Sequence, residues 1–197
     1  MSWLDALSRI EDLEDADFDA SLVAAFERRS DVAISRPIRF STPTFKEYES
    51  TELEGCGKNS FPAFSITAGE CGLNCDHCQK KILEPMIPAT NPAMLDEKVR
   101  RLIETEQLSG FLLSGGSNRK NEIPYGRYMP VVEGLKRDFP GLKIAVHTAL
   151  LDERRAKQME SAGVDNVMMD VIGAQETIEQ VYNLQRPVDD FEETLAA

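Results

Sequence analysis

The sequence predicts an α/β protein built on a parallel sheet, preceded by a helical extension. From residue 61 onward, short apolar runs such as Phe111–Leu113 alternate with amphipathic stretches at helical spacing. Strands apolar on both faces belong in covered sheets, and alternation with helices makes such sheets parallel with right-handed crossovers. The first sixty residues lack this alternation and read differently.

Residues 2–29 place Trp3, Leu4, Leu7, Ile10 and Leu13, then Leu22, Val23 and Phe26, at helical spacing, with Asp15 to Asp19 dividing two short helices. Residues 31–60 are mixed, with an extended piece at 38–40 and loop signals at Pro43 and across 54–60. Residues 1–60 are thus expected to form a helical and irregular extension, and 61–197 the core. In the core, a strand over Phe64–Ala68 runs into three cysteines and a short helix around Gln79–Leu83. Pro85, Pro88 and Pro92 force extended or turning backbone. The next elements are helix 94–105, strand 111–113, helix 128–137, strand 143–150 and helix 151–161, with Gly163 as a helix stop. Strand 166–172 and helix 175–182 follow, and Val188, Phe191 and Leu195 mark the apolar face of a last helix. This gives four β/α units. Four strands leave an exposed parallel edge, so the expectation is that two further strands are missing from the chain or that a partner covers the edge.

Composition sets the outer bounds. Hydrophobic residues make up 42% and charged residues 28%, ordinary for a globular domain. Lys and Arg number 22 against 34 Asp and Glu, a net charge of −12, which argues against a nucleic-acid partner. No apolar run approaches a membrane span, and the acidic N-terminus lacks the basic start of an export signal, so the expected compartment is the cytoplasm.

The chemistry concentrates in FPAFSITAGECGLNCDHCQK, residues 61–80, where Cys71, Cys75 and Cys78 are spaced C-x3-C-x2-C. Three thiolates this close can ligate three irons of a [4Fe–4S] cube and leave the fourth iron open to a small chelating cofactor. Two other readings stand beside it. A structural zinc would need a fourth ligand from Cys56 or His77. Cys75 and Cys78 could also form a redox dithiol, which leaves Cys71 unexplained. A disulfide framework fits poorly with four cysteines in 197 residues and no signal peptide.

The C-x3-C-x2-C loop after a first strand resembles the signature of radical S-adenosylmethionine (SAM) enzymes. The resemblance covers about residues 61–195 and is closest to the biotin-synthase-like branch, to small proteins of archaea and anaerobic bacteria. It is carried further by Met86-Ile87-Pro88-Ala89-Thr90, by Phe111 through Gly116, by Val146-His147-Thr148, and by Glu176-Thr177-Ile178 with Val181-Tyr182. It implies a partial (β/α) barrel of six units, of which about four are present. It also implies a [4Fe–4S] cluster on Cys71, Cys75 and Cys78, with SAM on the open iron, cleaved to methionine and a 5′-deoxyadenosyl radical. His77 stands where the family has an aromatic residue packed near the adenine. The backbone of Gly115-Gly116 would receive the SAM amino group, with Ser117 standing where many relatives have Glu.

Functional groups of β/α barrels gather at the C-terminal ends of strands. That rule selects the cysteine loop, Ser114-Gly115-Gly116, His147-Thr148 and Asp170. His147 reads either as a SAM or substrate contact or as a satisfied core histidine. Asp170 reads as a ribose contact or as a structural bond to a neighbouring loop, and Met168 and Met169 read as core. One member of the branch works with a second radical SAM protein as a two-component lipoyl synthase. The resemblance therefore implies hydrogen abstraction from an octanoyl chain on a lipoyl-carrier protein, sulfur insertion, and a ferredoxin or flavodoxin electron donor. A metal-stabilised binding module and a non-catalytic helper subunit are the alternatives.

Overall fold

The computed structural model describes residues 60–105 and 108–197. The helices expected within the 1–60 extension, and Cys56, lie outside the described residues.

Five parallel strands form one sheet: β1 (Ala63–Ser65), β2 (Ile87–Pro88), β3 (Gly110–Ser114), β4 (Lys143–Thr148) and β5 (Asn166–Met169), in the order β2-β1-β3-β4-β5. Helices α1 (Pro92–Thr105), α2 (Met129–Asp138), α3 (Glu153–Ser161), α4 (Gln175–Gln180) and α5 (Asp189–Ala196) alternate with the strands or follow them. The α/β parallel architecture expected from the sequence is present. Helix starts follow local chemistry: Asn91 accepts the Met94 amide at 2.9 Å ahead of Pro92, and Asp152 accepts the Arg155 amide at 2.8 Å. Gly163 ends the α3 region with φ +82°, the left-handed geometry that glycine reaches without a Cβ penalty.

Strand alternation divides the core. Phe64, Phe111, Leu113, Ile144 and Val146 bury one face of the sheet against Leu95 and Val99 of α1, Val132 and Leu135 of α2, and Met159 of α3. Their sheet neighbours Ala63 and Leu112 gather instead with Leu83, Met86 and Cys71. A separate apolar group joins Leu73 of the cysteine loop to Leu150, Ile172, Ile178, Leu184 and Phe191. The cysteine loop is thereby tied by burial to α4 and α5, which lie far from it along the chain.

Four details differ from the sequence expectations. A fifth strand, β2, adds to the edge beside β1; it is two residues long, too short to carry a period, and ends on Pro88. Proline is tolerated there because an edge strand pairs on one side only. The first strand stops at Ser65, and Ala68 already has φ +52°. β5 is not buried: Val167 is 53% and Met168 47% exposed, as expected for an edge with nothing beyond it among the described residues. In α5 the inward residues are Phe191 and Thr194 while Leu195 is exposed, because Thr194 exchanges hydrogen bonds with the Leu151 backbone.

At the opposite end of the strands, Asp165 ties β4 to the turn before β5. Its carboxylate accepts from Lys136 Nζ and Lys143 Nζ, both at 2.8 Å, and from the Ile144 amide at 2.9 Å. Burial pushes the carboxyl up, but these three donors outweigh it and bring it down to about 2. A carboxyl depressed on folding contributes stability that is full above its unfolded value, near 3.8, and is lost as pH falls through the folded value. Asp165→Asn is therefore expected to cost about 2 kcal/mol at neutral pH. Urea titrations of both proteins should show that gap narrowing between about pH 4 and about pH 2.

Candidate metal centre

The cysteine loop leaves β1 through a tight turn in which Ser65 Oγ donates to the Ala68 carbonyl at 2.6 Å. It then meets the loop after β3. The Gly72 amide donates to the Ser117 carbonyl at 2.6 Å, and the Gly116 amide donates to Thr67 Oγ1 at 2.7 Å. A Cβ on Gly116 would overlap the Glu70 carbonyl and lie 2.6 Å from Cys71 Cα, so only glycine lets the two loops touch. A Cβ on Gly115 would stand 2.9 Å from the Ile66 side chain. Ser114 is buried, and its carbonyl accepts the Ile66 amide at 2.9 Å, extending the β1–β3 pairing by one residue. Among the described residues, the carbonyls of Gly115 and Gly116 accept no hydrogen bond.

The other side of the loop is held by the chain leaving α4. The Asp76 amide donates to the Val181 carbonyl at 2.9 Å, and Asn183 Nδ2 donates to the Asn74 carbonyl at 2.9 Å and to Asp76 Oδ1 at 3.2 Å. Cys75 Sγ lies 3.6 Å from the Tyr182 carbonyl oxygen, and the Tyr182 and His77 rings meet at 4.8 Å between centroids. After Cys78 the backbone turns through two successive left-handed residues, Gln79 at φ +48° and Lys80 at φ +65°. Ala68, Asn121 and Asn183 are the other non-glycine residues with positive φ among those described. All five border the cysteine loop or the loop after β3. Left-handed backbone at an ordinary residue costs about 1 kcal/mol, and such strain gathers at functional sites.

The three thiols are free, half-buried and near enough to influence one another. Burial, reinforced by the negative fields of Cys71, Cys78 and Asp170, pushes the Cys75 thiol up to about 11. Burial, with the negative fields of Asp170, Cys75 and Cys78, raises the Tyr182 hydroxyl. Asp170 lies 62% exposed with its Oδ2 3.6 Å from His147 Nε2. The imidazole, as donor, holds the carboxyl below its ordinary range against partial burial, and His77 adds to the pull. The sequence readings for His77, His147 and Asp170 thus meet in one place, around Cys75. Asp170 has a protein partner in His147, and its exposure leaves only part of the desolvation cost expected of a charge in an apolar run. His147 is only partly buried, and its backbone carbonyl accepts the Tyr125 hydroxyl at 2.5 Å.

Among the described residues, no three His, Cys, Asp or Glu side chains surround a point where a single metal ion would fit. A tetrahedral zinc holds its sulfurs about 2.3 Å from one centre. A cube bound through three irons spreads its three sulfurs over separate corners. Three free, half-buried thiols in mutual electrostatic contact are a donor set of the kind a cube takes. Sequence reasoning missed Thr67, Tyr182 and Asn183 as supports of the site. Tyr182 stood out only as part of a motif, and the other two carry no signal without the fold.

No family model and no curated protein matches the chain. Among solved structures, one similar chain is a protein of Burkholderia pseudomallei described as pilus assembly-related, with 14% identity over 69% of this chain and 85% of its own, at a TM-score of 0.36. A likeness that low carries no functional argument. Among the described residues, no helix is long and apolar enough to cross a membrane.

Gly116→Ala is expected to force the cysteine loop off the β3 loop, at a cost of about 2 kcal/mol or more. Asn183→Ala removes two hydrogen bonds and puts a methyl side chain at φ +54°, which should cost about 1–2 kcal/mol. Chemical denaturation will measure both losses, and protease sensitivity around residues 71–80 should rise in each variant.

Proposed function

We propose that the chain is a radical SAM enzyme of the biotin-synthase-like branch. The observation that carries the reading is the meeting of the C-x3-C-x2-C loop with Gly115-Gly116 at the C-terminal ends of adjacent parallel strands. That is where β/α proteins assemble their sites, and the open sheet is compatible with a partial barrel. Cys71, Cys75 and Cys78 would hold a [4Fe–4S] cluster. When bound, that cluster supplies the electron that splits SAM into methionine and a 5′-deoxyadenosyl radical.

The chain's own residues have definable parts in this reading. The free carbonyls of Gly115 and Gly116 offer acceptors to the SAM amino group. His77, with its ring against Tyr182, presents a flat surface suited to an adenine edge or face. The Asp170 carboxylate, oriented by His147, can accept from ribose hydroxyls. The apolar group under the loop, with Leu73, Ile178 and Leu184, limits water from below. The substrate reading rests on the resemblance alone: hydrogen abstraction from a protein-bound octanoyl chain, with sulfur insertion as a lipoyl synthase component.

The test is anaerobic reconstitution with iron and sulfide, followed by EPR of the reduced protein with and without SAM. A [4Fe–4S]+ signal that SAM perturbs is expected, abolished by Cys75→Ala and kept by Cys56→Ala. Uptake of one zinc with no cluster, lost on Cys56→Ala, would replace this reading with a zinc-stabilised module. A cluster indifferent to SAM would identify a helper subunit instead.

A further inference from the structure

The proposed function leaves one pocket of the molecule unused. It lies between the loop after β3, the start of α2 and the N-terminal half of α3, with a volume of about 240 Å³. Thr148, the last residue of β4, lines it. Strand alternation puts Thr148 on the face of Ile144 and Val146, which pack under the helices, and His147 on the other face. Cys71 packs with Ala63 and Leu112, also on that other face. The pocket and the cysteine loop are thus on opposite sides of the sheet, with Leu150 touching both the pocket and the apolar group of Leu73.

The pocket is mainly apolar. Ile123, Met129, Leu150 and Met159, all buried, line it together with Tyr125. Thioethers make favourable contacts with aromatic rings and adapt to their outline. An apolar cavity of about 150 Å³ already admits benzene, so this one has room for a larger ring system. The charges at the rim are spent on one another. Glu122 accepts from Asn118 Nδ2 at 3.1 Å and from Arg155 Nη2 at 3.2 Å, and Arg154, 76% exposed, sits 4.0 Å from Asp152. Three polar side chains of the lining have used a proton on a protein carbonyl. Tyr125 Oη donates to His147 at 2.5 Å, Thr148 Oγ1 to Ala149 at 3.1 Å, and Gln158 Nε2 to Gly126 at 3.3 Å. Among the described residues nothing donates to Tyr125 Oη, Thr148 Oγ1 or Gln158 Oε1, so each keeps acceptor capacity.

We propose that this pocket binds a small, uncharged aromatic molecule carrying one N–H or O–H donor, of the indole or phenol class. The aliphatic and thioether lining selects the ring, because burying apolar area supplies most of the affinity of such sites. The unused acceptors select a donor on that ring: a ligand with only lone pairs to offer would leave them unpaired in a place water has left. The self-paired rim provides no free countercharge for an anion or a cation. Gln158 Oε1 is the acceptor assigned to the ligand, since it stands at the mouth, 3.5 Å from where a Gly126 Cβ would lie. The site is separate from the radical SAM reading and does not depend on it.

The test uses the full chain without iron or SAM, so its failure and that of the proposed function are distinguishable. Titration with indole, followed by NMR of the methionine methyl groups, is expected to shift Met129 and Met159 saturably and to leave the exposed Met168 unmoved. Calorimetry should show one site, with indole bound about fivefold more tightly than benzofuran, its counterpart without the N–H. Gly126 is exposed, its φ is not positive, and a Cβ there makes ordinary contacts. Gly126→Phe should therefore fold, obstruct the mouth and weaken indole binding at least about tenfold. Gln158→Leu should abolish the preference for indole while still binding benzofuran, and it decides the matter if thermal denaturation shows the Phe variant to be unfolded. Methyl groups of Met129 and Met159 that stay unmoved up to the solubility limit of indole would overturn the inference. So would equal affinity for indole and benzofuran in the wild type, or unweakened indole binding by a folded Gly126→Phe. Benzoate binding more tightly than indole, and weakening with salt, would overturn it in favour of an anion site at Arg154 and Arg155.

Discussion

The contact between Gly116 and Cys71 is the constraint on which the site depends. The loop after β3 can reach the cysteine loop only because no Cβ stands between Gly116, the Glu70 carbonyl and Cys71 Cα. Once that approach is made, the Gly72–Ser117 and Gly116–Thr67 hydrogen bonds follow from it, and the first thiol is fixed relative to the second crossover of the sheet. Cys75 and its neighbours Asn74 and Asp76 are held from the opposite side, by Val181, Tyr182 and Asn183. A loop held at both flanks by different crossovers can keep three thiols together despite their mutual repulsion.

That repulsion is visible in the electrostatics. Cys75 is harder to ionise than a solvated thiol because burial and two neighbouring sulfurs oppose its charge, and Asp170 opposes it further. The non-glycine residues with left-handed backbone border the same loops. Strain and unfavourable charge both disfavour the loop as an isolated structure. A positive inorganic core bound to the thiolates would offset the charge, and the apolar group of Leu73, Ile178, Leu184 and Phe191 offsets part of the strain. Stability for the sheet comes from elsewhere, from the large core under α1 to α3 and from the Asp165 network at the far end of the strands. The molecule thus separates what holds the sheet together from what arranges the site.

The edge of the sheet follows a different logic. β5 pairs with β4 on one side, and Val167 and Met168 are exposed. The sequence reading placed Met168 in the core because Val-Met-Met-Asp-Val-Ile is apolar, but an apolar run reports a preference for burial and not its achievement. Leu195 and Thr194 make the same point within α5. Helical spacing selects Leu195, yet the Leu151 backbone offers hydrogen bonds that only Thr194 can use.

What the sequence determined by itself was therefore what is local and periodic. It contained the parallel α/β class, the helices α1 to α5 within a few residues, the stop at Gly163, and the cysteine spacing, because period, capping and thiol chemistry are written in adjacent residues. It also indicated that polar groups would collect at strand ends, since that follows from β/α connectivity. Tertiary structure alone decided which groups meet: His147 with Asp170, His77 with Tyr182, and Gly116 with Cys71, which are separated by 23, 105 and 45 positions in the chain. It also decided the two-residue strand at Ile87–Pro88, whose hydrogen bonds depend on where β1 happens to lie. Contacts of that range depend on the packing of several crossovers at once, and no single stretch of sequence carries them.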